Sequence, residues 1–192
     1  MKKNVVILAS KSPRRKELLK SLGLKVKVVP SNIKEDLGKY FSKEKLKKVA
    51  LDKVNEVAKK FKKGIIIGAD TVVVVKNKIY GKPSNIKCAK RMLKELSGKT
   101  QHVWTAVAIK DIERNKVLVE TVESLVKMKK LNKDDINYLA GKNLDKAGGY
   151  GIQEDDKFLK VLKGSYTNIV GLPIETVQEM LKLFDVAFNK IL

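Results

Sequence analysis

Arg14 and Arg15 lie side by side in a chain that otherwise relies on lysine: of 42 basic residues, only these two, Arg91 and Arg114 are arginine. A guanidinium is a planar fork that grips phosphate or carboxylate oxygens in pairs, which the point charge of lysine does not do. The two arginines follow Ser10, Lys11, Ser12 and Pro13, an order that marks a helix start, with Ser12 as N-cap and Pro13 at the first helical position. A helix N-terminus presents unpaired N–H groups and the positive end of the helix dipole. Ser10, Lys11, Arg14 and Arg15 around such a terminus would make a site for an anion. An ordinary strand-to-helix link with solvated basic residues would use the same letters, and no glycine-rich Walker or Rossmann loop decides between the two readings.

Lys53 and Asp70 are the next residues whose chemistry conflicts with their surroundings. The spacing of apolar residues predicts an amphipathic helix over 42–63, capped by Ser42 and stopped by Gly64, with Leu46, Val49, Ala50, Val54, Val57 and Phe61 on one face. Lys53 falls within that face, where a lysine either snorkels to the rim or reaches an anion in a polar cleft. Asp70 sits between the β-branched runs 65–67 and 72–75, at a break of small residues. A carboxylate there needs a donor, a metal or a cleft, or else bonds its own turn. Residues 146–153 form a glycine-dense turn, whose missing side chains let a ligand approach the backbone. His102 is the single histidine and Cys88 the single cysteine. That excludes a histidine-cluster or cysteine-based zinc site, a Ser–His–Asp triad and an internal disulfide; His102 and Cys88 read as structural.

The elements that must position these residues alternate between strand and helix. Strands are expected at 5–9, 26–29, 65–75, 102–110, 117–130 and 158–162. Helices are opened by Ser12, Ser42 and a cap near Ser84, closed by Gly23, Gly64 and Gly98, and followed by two more at 133–139 and 174–188. A chain of 192 residues fits one α/β domain, with room for two lobes. The formal charge of +21 invites a nucleic-acid reading, but the lysines are scattered over every expected helix and turn, with few aromatics between them. Nonspecific polyanion affinity at low salt is the expected consequence. No apolar run approaches the ~18 residues of a membrane span, and the first strand is too short for a signal-peptide core. A cytoplasmic protein with no membrane partner is expected.

Four segments in order, Leu8-Ala9-Ser10-Lys11-Ser12-Pro13-Arg14-Arg15, Gly68-Ala69-Asp70-Thr71, Gly81-Lys82-Pro83 and Ala147-Gly148-Gly149-Tyr150-Gly151-Ile152-Gln153, resemble the Maf family. Lys53, Leu96-Ser97-Gly98, Thr105 and residues 164–173 extend the resemblance over almost the whole chain. It implies a nucleoside triphosphate pyrophosphatase, a family also described as septum-formation inhibitors. Such an enzyme releases a nucleoside monophosphate and pyrophosphate with a divalent cation, Mg²⁺ or Mn²⁺. The implied fold is an elongated, twisted mixed sheet with flanking helices and two lobes around a cleft, related to the inosine triphosphate pyrophosphatases. It implies one domain over 1–192, with a homodimer as the common state. By the same resemblance Asp70 is the general base and, with Glu35, a metal ligand; Ser10, Arg14, Arg15, Lys53 and Lys82 bind phosphate. Arg14, Thr71 and Gln153 match specificity positions and look like the dTTP/UTP-preferring branch, since the 7-methyl-GTP branch tends to carry tryptophan, glutamine and glutamate there. Lys34 departs from the pattern, standing where many relatives have a second acidic residue. The alternatives are the same reaction on 7-methyl-GTP or another purine nucleotide, and a non-catalytic, nucleic-acid-binding regulator of septum formation.

Overall fold

The β-branched run Ile65–Val75 forms β3, and the sheet is built outward from its two edges. The computed structural model describes residues 5–188; the ends of the expected 1–192 domain lie outside the described residues. Along one edge of β3, β5 (Thr100–Asp111) runs antiparallel from Ile65 opposite Asp111 to Val74 opposite His102. The other edge is shared. β1 (Val5–Leu8) pairs in parallel with Ile65, Ile66 and Ile67, and the short β4 (Lys78–Tyr80) pairs antiparallel with Val73, Val74 and Val75. Between those partners, residues 68–72 face no strand on that edge among the described residues, which leaves a notch. β2 (Lys25–Val28) lies parallel outside β1, while β6 (Lys116–Met128) and β7 (Leu159–Lys163) extend the sheet beyond β5. The result is a seven-stranded mixed sheet in the order β2-β1-β3-β5-β6-β7, with β4 on β3.

Local chemistry sets most of the helix boundaries. α1 (Pro13–Ser21) opens as expected, with the Ser12 hydroxyl accepting from the Arg15 N–H and Pro13 in the first turn. α2 (Lys43–Ala58) is capped by Ser42 but stops short of the expected 63. Lys60 and Phe61 donate back to Val57 and Ala58 in a tightened end, and the lysine-rich stretch beyond offers only Phe61 to the core. α3 (Ile86–Leu96) is capped near Ser84 as expected, by the adjacent Asn85, whose side chain accepts from the Cys88 N–H at 2.8 Å. α4 is Lys133–Lys142, α5 is the short, unanticipated Tyr166–Val170, and α6 is Ile174–Lys182. α6 ends before the expected 188 because the chain turns at Asp185 (φ 55°) and folds Phe184 and Val186 back into the core.

The expected break in the 65–75 run is also corrected: β3 is continuous. Gly68 is there for a close approach by α2. A Cβ at Gly68 would stand 2.8 Å from Val54 Cγ1 and 3.1 Å from the Ala50 carbonyl oxygen.

Three apolar clusters hold these layers. One joins the sheet to α1 and α6 through Leu8, Leu19, Ile67, Val177 and Phe184. On the opposite sheet face, Leu46, Ala50, Val54 and Val57 of α2 cover Ile66, Val72 and Ala108. The third, around Leu93, Leu96, Met128 and Leu139, packs α3 and α4 on the far half of the sheet as a second lobe. Among the described residues no helix is long and apolar enough to cross a membrane.

Candidate active site

The notch in the β3 edge opens onto a cleft of about 560 Å³ between the lobes. Ser10, Arg14, Arg15, Glu35, Lys53, Asp70, Thr71, Lys82 and Gln153 all line it. The placement follows from topology: β1 and β3 are parallel, so the link from β1 into α1 emerges beside the middle of β3, at the carboxyl end of β1. The Ala9 N–H donates to the Ile67 carbonyl at 2.8 Å, and beyond it the chain leaves the sheet to deliver Ser10 and the start of α1.

Lys53 and Asp70 are 6% and 7% exposed. The tight seating of α2 at Gly68 brings Lys53 over the notch, where its ammonium donates to Asp70 Oδ1 at 2.6 Å and to the Ala69 carbonyl at 3.3 Å. The same Nζ lies 2.7 Å from Glu35 Oε1. Two carboxylates from distant stretches therefore share one buried cation. Burial pushes the Glu35 carboxyl up, but Lys53 by charge and hydrogen bond, with Lys82 and Arg15 behind it, holds it below its ordinary value. Of residues 34–36 only Glu35 lines the cleft, so with Lys34 in place of a second acid and Asp36 outside, the loop contributes one carboxylate.

Arg15 closes the notch from the other side. Its Nη1 donates to the Ala69 carbonyl at 2.7 Å and to Ser10 Oγ at 3.2 Å, its Nη2 to Thr71 Oγ1 at 3.1 Å, and its Nε to the Gly171 carbonyl at 2.8 Å. Most of its fork is thereby turned onto the protein. Burial lowers the Arg15 pKa, against the raising effect of Asp70 and Glu35. Gly171 can aim its carbonyl this way because it ends α5 in the left-handed region, at φ 119°. Thr71 Oγ1 also lies 2.9 Å from Thr105 Oγ1, and Thr105 donates on to the Asn168 carbonyl at 3.3 Å. The fully buried Asn168 in turn donates to the Val103 carbonyl and to Ser124 Oγ.

Arg14 points along the cleft instead. Its Nη1 donates to Asp145 Oδ2 at 2.7 Å, linking the start of α1 to the loop after α4 in the second lobe. Burial pushes the Asp145 carboxyl up, but its bond to Arg14 and the charges of Arg14 and Lys146 hold it below its ordinary value. The glycine turn continues from there, with Gly148 and Gly149 at φ 73° and 76°. The Gly148 N–H donates to the Gly81 carbonyl at 3.0 Å, fastening this turn to the loop that carries Lys82. Lys82 and Gln153 are exposed at the rim, over a wall that includes Val73, Val103, Tyr150, Ile152 and Ile169. Sequence reasoning did not single out Asp145. Its partner Arg14 is 131 positions away, and its only local signal is its place just before the glycine-dense turn.

Hard oxygen donors beside the cations Arg14, Lys53 and Lys82 suit a metal such as Mg²⁺, which takes one or two carboxylates and completes its shell with water and phosphate oxygens. Among the described residues no group of three or more His, Cys, Asp or Glu side chains gathers to hold a metal ion. Glu35 and Asp70, already sharing a cation in the form of the Lys53 ammonium, fit the smaller donor set.

A family model described as Maf-like protein matches residues 5–184. The chain belongs to the Maf-like protein family. Among curated relatives, a dTTP/UTP pyrophosphatase of Dictyoglomus thermophilum is 45% identical over 184 residues, 93% of this chain and 95% of the relative. A protein of the same name from Thermosipho melanesiensis is 44% identical, covering 92% of this chain and 96% of the relative. Another from Bacillus cereus is 43% identical over 94% of this chain and 90% of its own length. Among solved structures, the Staphylococcus aureus Ham1 protein superposes with a TM-score of 0.57 over 94% of this Maf-like chain and 99% of its own, at 14% identity. At that identity the likeness concerns the fold alone, and it agrees with the mixed α/β sheet with flanking helices that the family resemblance implies.

Proposed function

We propose that the chain is a nucleoside triphosphate pyrophosphatase acting on dTTP and UTP, cleaving at the α-phosphorus to give the monophosphate and pyrophosphate. One observation carries the reading: Asp70, Glu35 and Lys53 meet at the floor of a cleft whose mouth holds Ser10, Arg14 and Lys82. A triphosphate repels an anionic nucleophile, so cations must offset its charge before a base is useful. Arg14, Lys82 and the α1 N-terminus face the phosphate chain, and Ser10 adds a hydroxyl. Arg15 contributes chiefly by bracing Ser10, Thr71 and the Ala69 carbonyl around the reacting group. Asp70, held through Oδ1 by Lys53, takes a proton from the attacking water on Oδ2. A Mg²⁺ or Mn²⁺ held by Glu35 and Asp70 would supply Lewis-acid stabilisation of charge on the phosphate oxygens. Thr71 and Gln153 flank the apolar wall where a base would lie, and with Arg14 they set the pyrimidine preference. The names of the curated relatives support this choice of substrates. Action in the cytoplasm, as a homodimer with weak nonspecific polyanion affinity, belongs to the same reading.

The test is a nucleotide panel with Mg²⁺ or Mn²⁺, scoring pyrophosphate release by the wild type and by Asp70→Asn. Removing a general base costs ~10²–10⁴ in rate, so the variant should fold normally and lose that much kcat with dTTP and UTP. Orthophosphate as first product, or a variant with near-normal kcat, would overturn the assignment.

A further inference from the structure

The loop that carries Gln153 is tied shut by one buried carboxylate that the mechanism does not use. Asp155 is fully buried, lies outside every motif singled out above, and follows Gln153 closely in the chain. Its Oδ2 accepts from the Gly151 N–H at 3.0 Å and from Asn143 Nδ2 at 2.8 Å. Its own N–H donates back to the Gly151 carbonyl at 2.9 Å. The stretch from Gly151 to Asp155 is thus a small loop closed by reciprocal bonds, with Gln153 at its exposed tip. Asn143, also fully buried, extends the tie: its Nδ2 holds the Leu139 carbonyl of α4 at 3.2 Å, and its Oδ1 accepts from Lys146 Nζ at 2.8 Å. Lys146 lies against Gly151 so closely that a Cβ there would stand 2.6 Å from its Cδ. The groups on both sides of the cleft-lining stretch are therefore referred to one oxygen atom.

We propose that Asp155 is the positioning residue for nucleotide-base recognition, acting through the Gly151 N–H and Asn143 to fix where Gln153 and Lys146 stand in the cleft. The proposal deepens the pyrophosphatase reading and rests on it. A feature of the geometry makes it specific. Both donors share Oδ2, whereas Oδ1 receives no hydrogen bond and has Lys142 Nζ 3.8 Å away. An asparagine placing its carbonyl oxygen at the Oδ2 position keeps both bonds, so the neutral isostere should work where alanine does not.

The experiment compares Asp155→Ala and Asp155→Asn with the wild type, measuring kcat and KM for UTP and for GTP below each protein's thermal transition. Because small misplacements of binding groups cost up to ~10²-fold, Asp155→Ala should raise KM for UTP about tenfold. Its UTP-over-GTP preference should fall by a similar factor, with kcat at saturation little changed. Asp155→Asn should restore both KM and preference. If the alanine protein does not fold, Asp155→Ser carries the test, since its shorter hydroxyl cannot bridge both donors. A folded Ala or Ser variant with wild-type KM and preference would overturn the proposal, as would an Asn variant no better than Ala. A wild type without pyrophosphatase activity would instead sink the functional reading itself, so the two failures are distinguishable.

Discussion

Lys53 is the residue on which the site's electrostatics turn, because it is buried and the Glu35 and Asp70 carboxylates both lie within 2.7 Å of its ammonium. A buried charge left without its partner is far more costly than the pair is favourable. Lys53→Met would leave Asp70 buried beside Glu35 with no cation between them. The expected result is a stability loss of about 3 kcal/mol, read as a lower melting temperature. Mg²⁺ should raise the melting temperature of the variant more than that of the wild type, because a cation that binds the folded state stabilises it by mass action. An equal shift in the two proteins would remove Glu35 and Asp70 as the metal's donors. Arg15 makes a different point: a residue whose type announces anion binding can spend that chemistry on its own backbone, here the Ala69 and Gly171 carbonyls.

At the scale of elements, the site depends on α2 lying close to β3, and Gly68 is what permits it. Gly68→Ala would place a methyl 2.8 Å from Val54 Cγ1 and 3.1 Å from the Ala50 carbonyl, forcing the helix outward. Overpacking of this kind costs about 1–3 kcal/mol, and the same shift should draw Lys53 away from Asp70. The variant should therefore lose activity at temperatures where circular dichroism still shows it folded; full activity at an unchanged melting temperature would refute the packing argument. What the sequence made legible follows the same logic. The start of α1 was readable because Ser12, Pro13 and the arginines act through local bonds, and the apolar face of α2 because its periodicity is local too. The notch was not: it exists because β1 and β4 each cover only part of one edge of β3, and strand pairing is not written within either strand. The cap of α3 was legible to within one residue, since Ser84 and the actual cap Asn85 are both capping types. The five-residue α5 is too short to show periodicity, yet it supplies the Gly171 carbonyl that Arg15 holds. Asp70 and Lys53 could be read as misfits among apolar neighbours, whereas their meeting with Glu35 required the fold.

For the molecule as a whole, the two lobes share one sheet and face each other across the cleft, so the site is only as well formed as the second lobe is anchored. That anchor is polar as well as apolar. Glu95 of α3 accepts from Lys78 Nζ at 2.5 Å and from Tyr80 Oη at 2.8 Å, both on β4, immediately before the loop bearing Lys82. The hydrogen bonds from Lys78 and then Tyr80 hold the Glu95 carboxyl below its ordinary value, and the bond to Glu95 raises the Lys78 ammonium. For Glu95 the folded pKa is the lower one, so its contribution is fully present above the ordinary carboxyl range, about pH 4.3. It is lost as pH falls through the depressed folded value. Lys78 behaves in mirror image, its share present at neutral pH and lost only as pH rises through its raised folded value, above the ordinary lysine value of about 10.4. In a chain of formal charge +21, protonating carboxylates also adds to self-repulsion, so acid should weaken the whole molecule. Glu95→Gln separates the two effects. It should lower the melting temperature at pH 7 and flatten the acid limb of its pH dependence below about pH 4.3, while added salt, which screens the general repulsion more than a short, partly buried pair, should raise both proteins at acid pH. An acid limb as steep in Glu95→Gln as in the wild type would assign the loss to net charge alone and remove the β4–α3 tie as the acid-sensitive point of the second lobe.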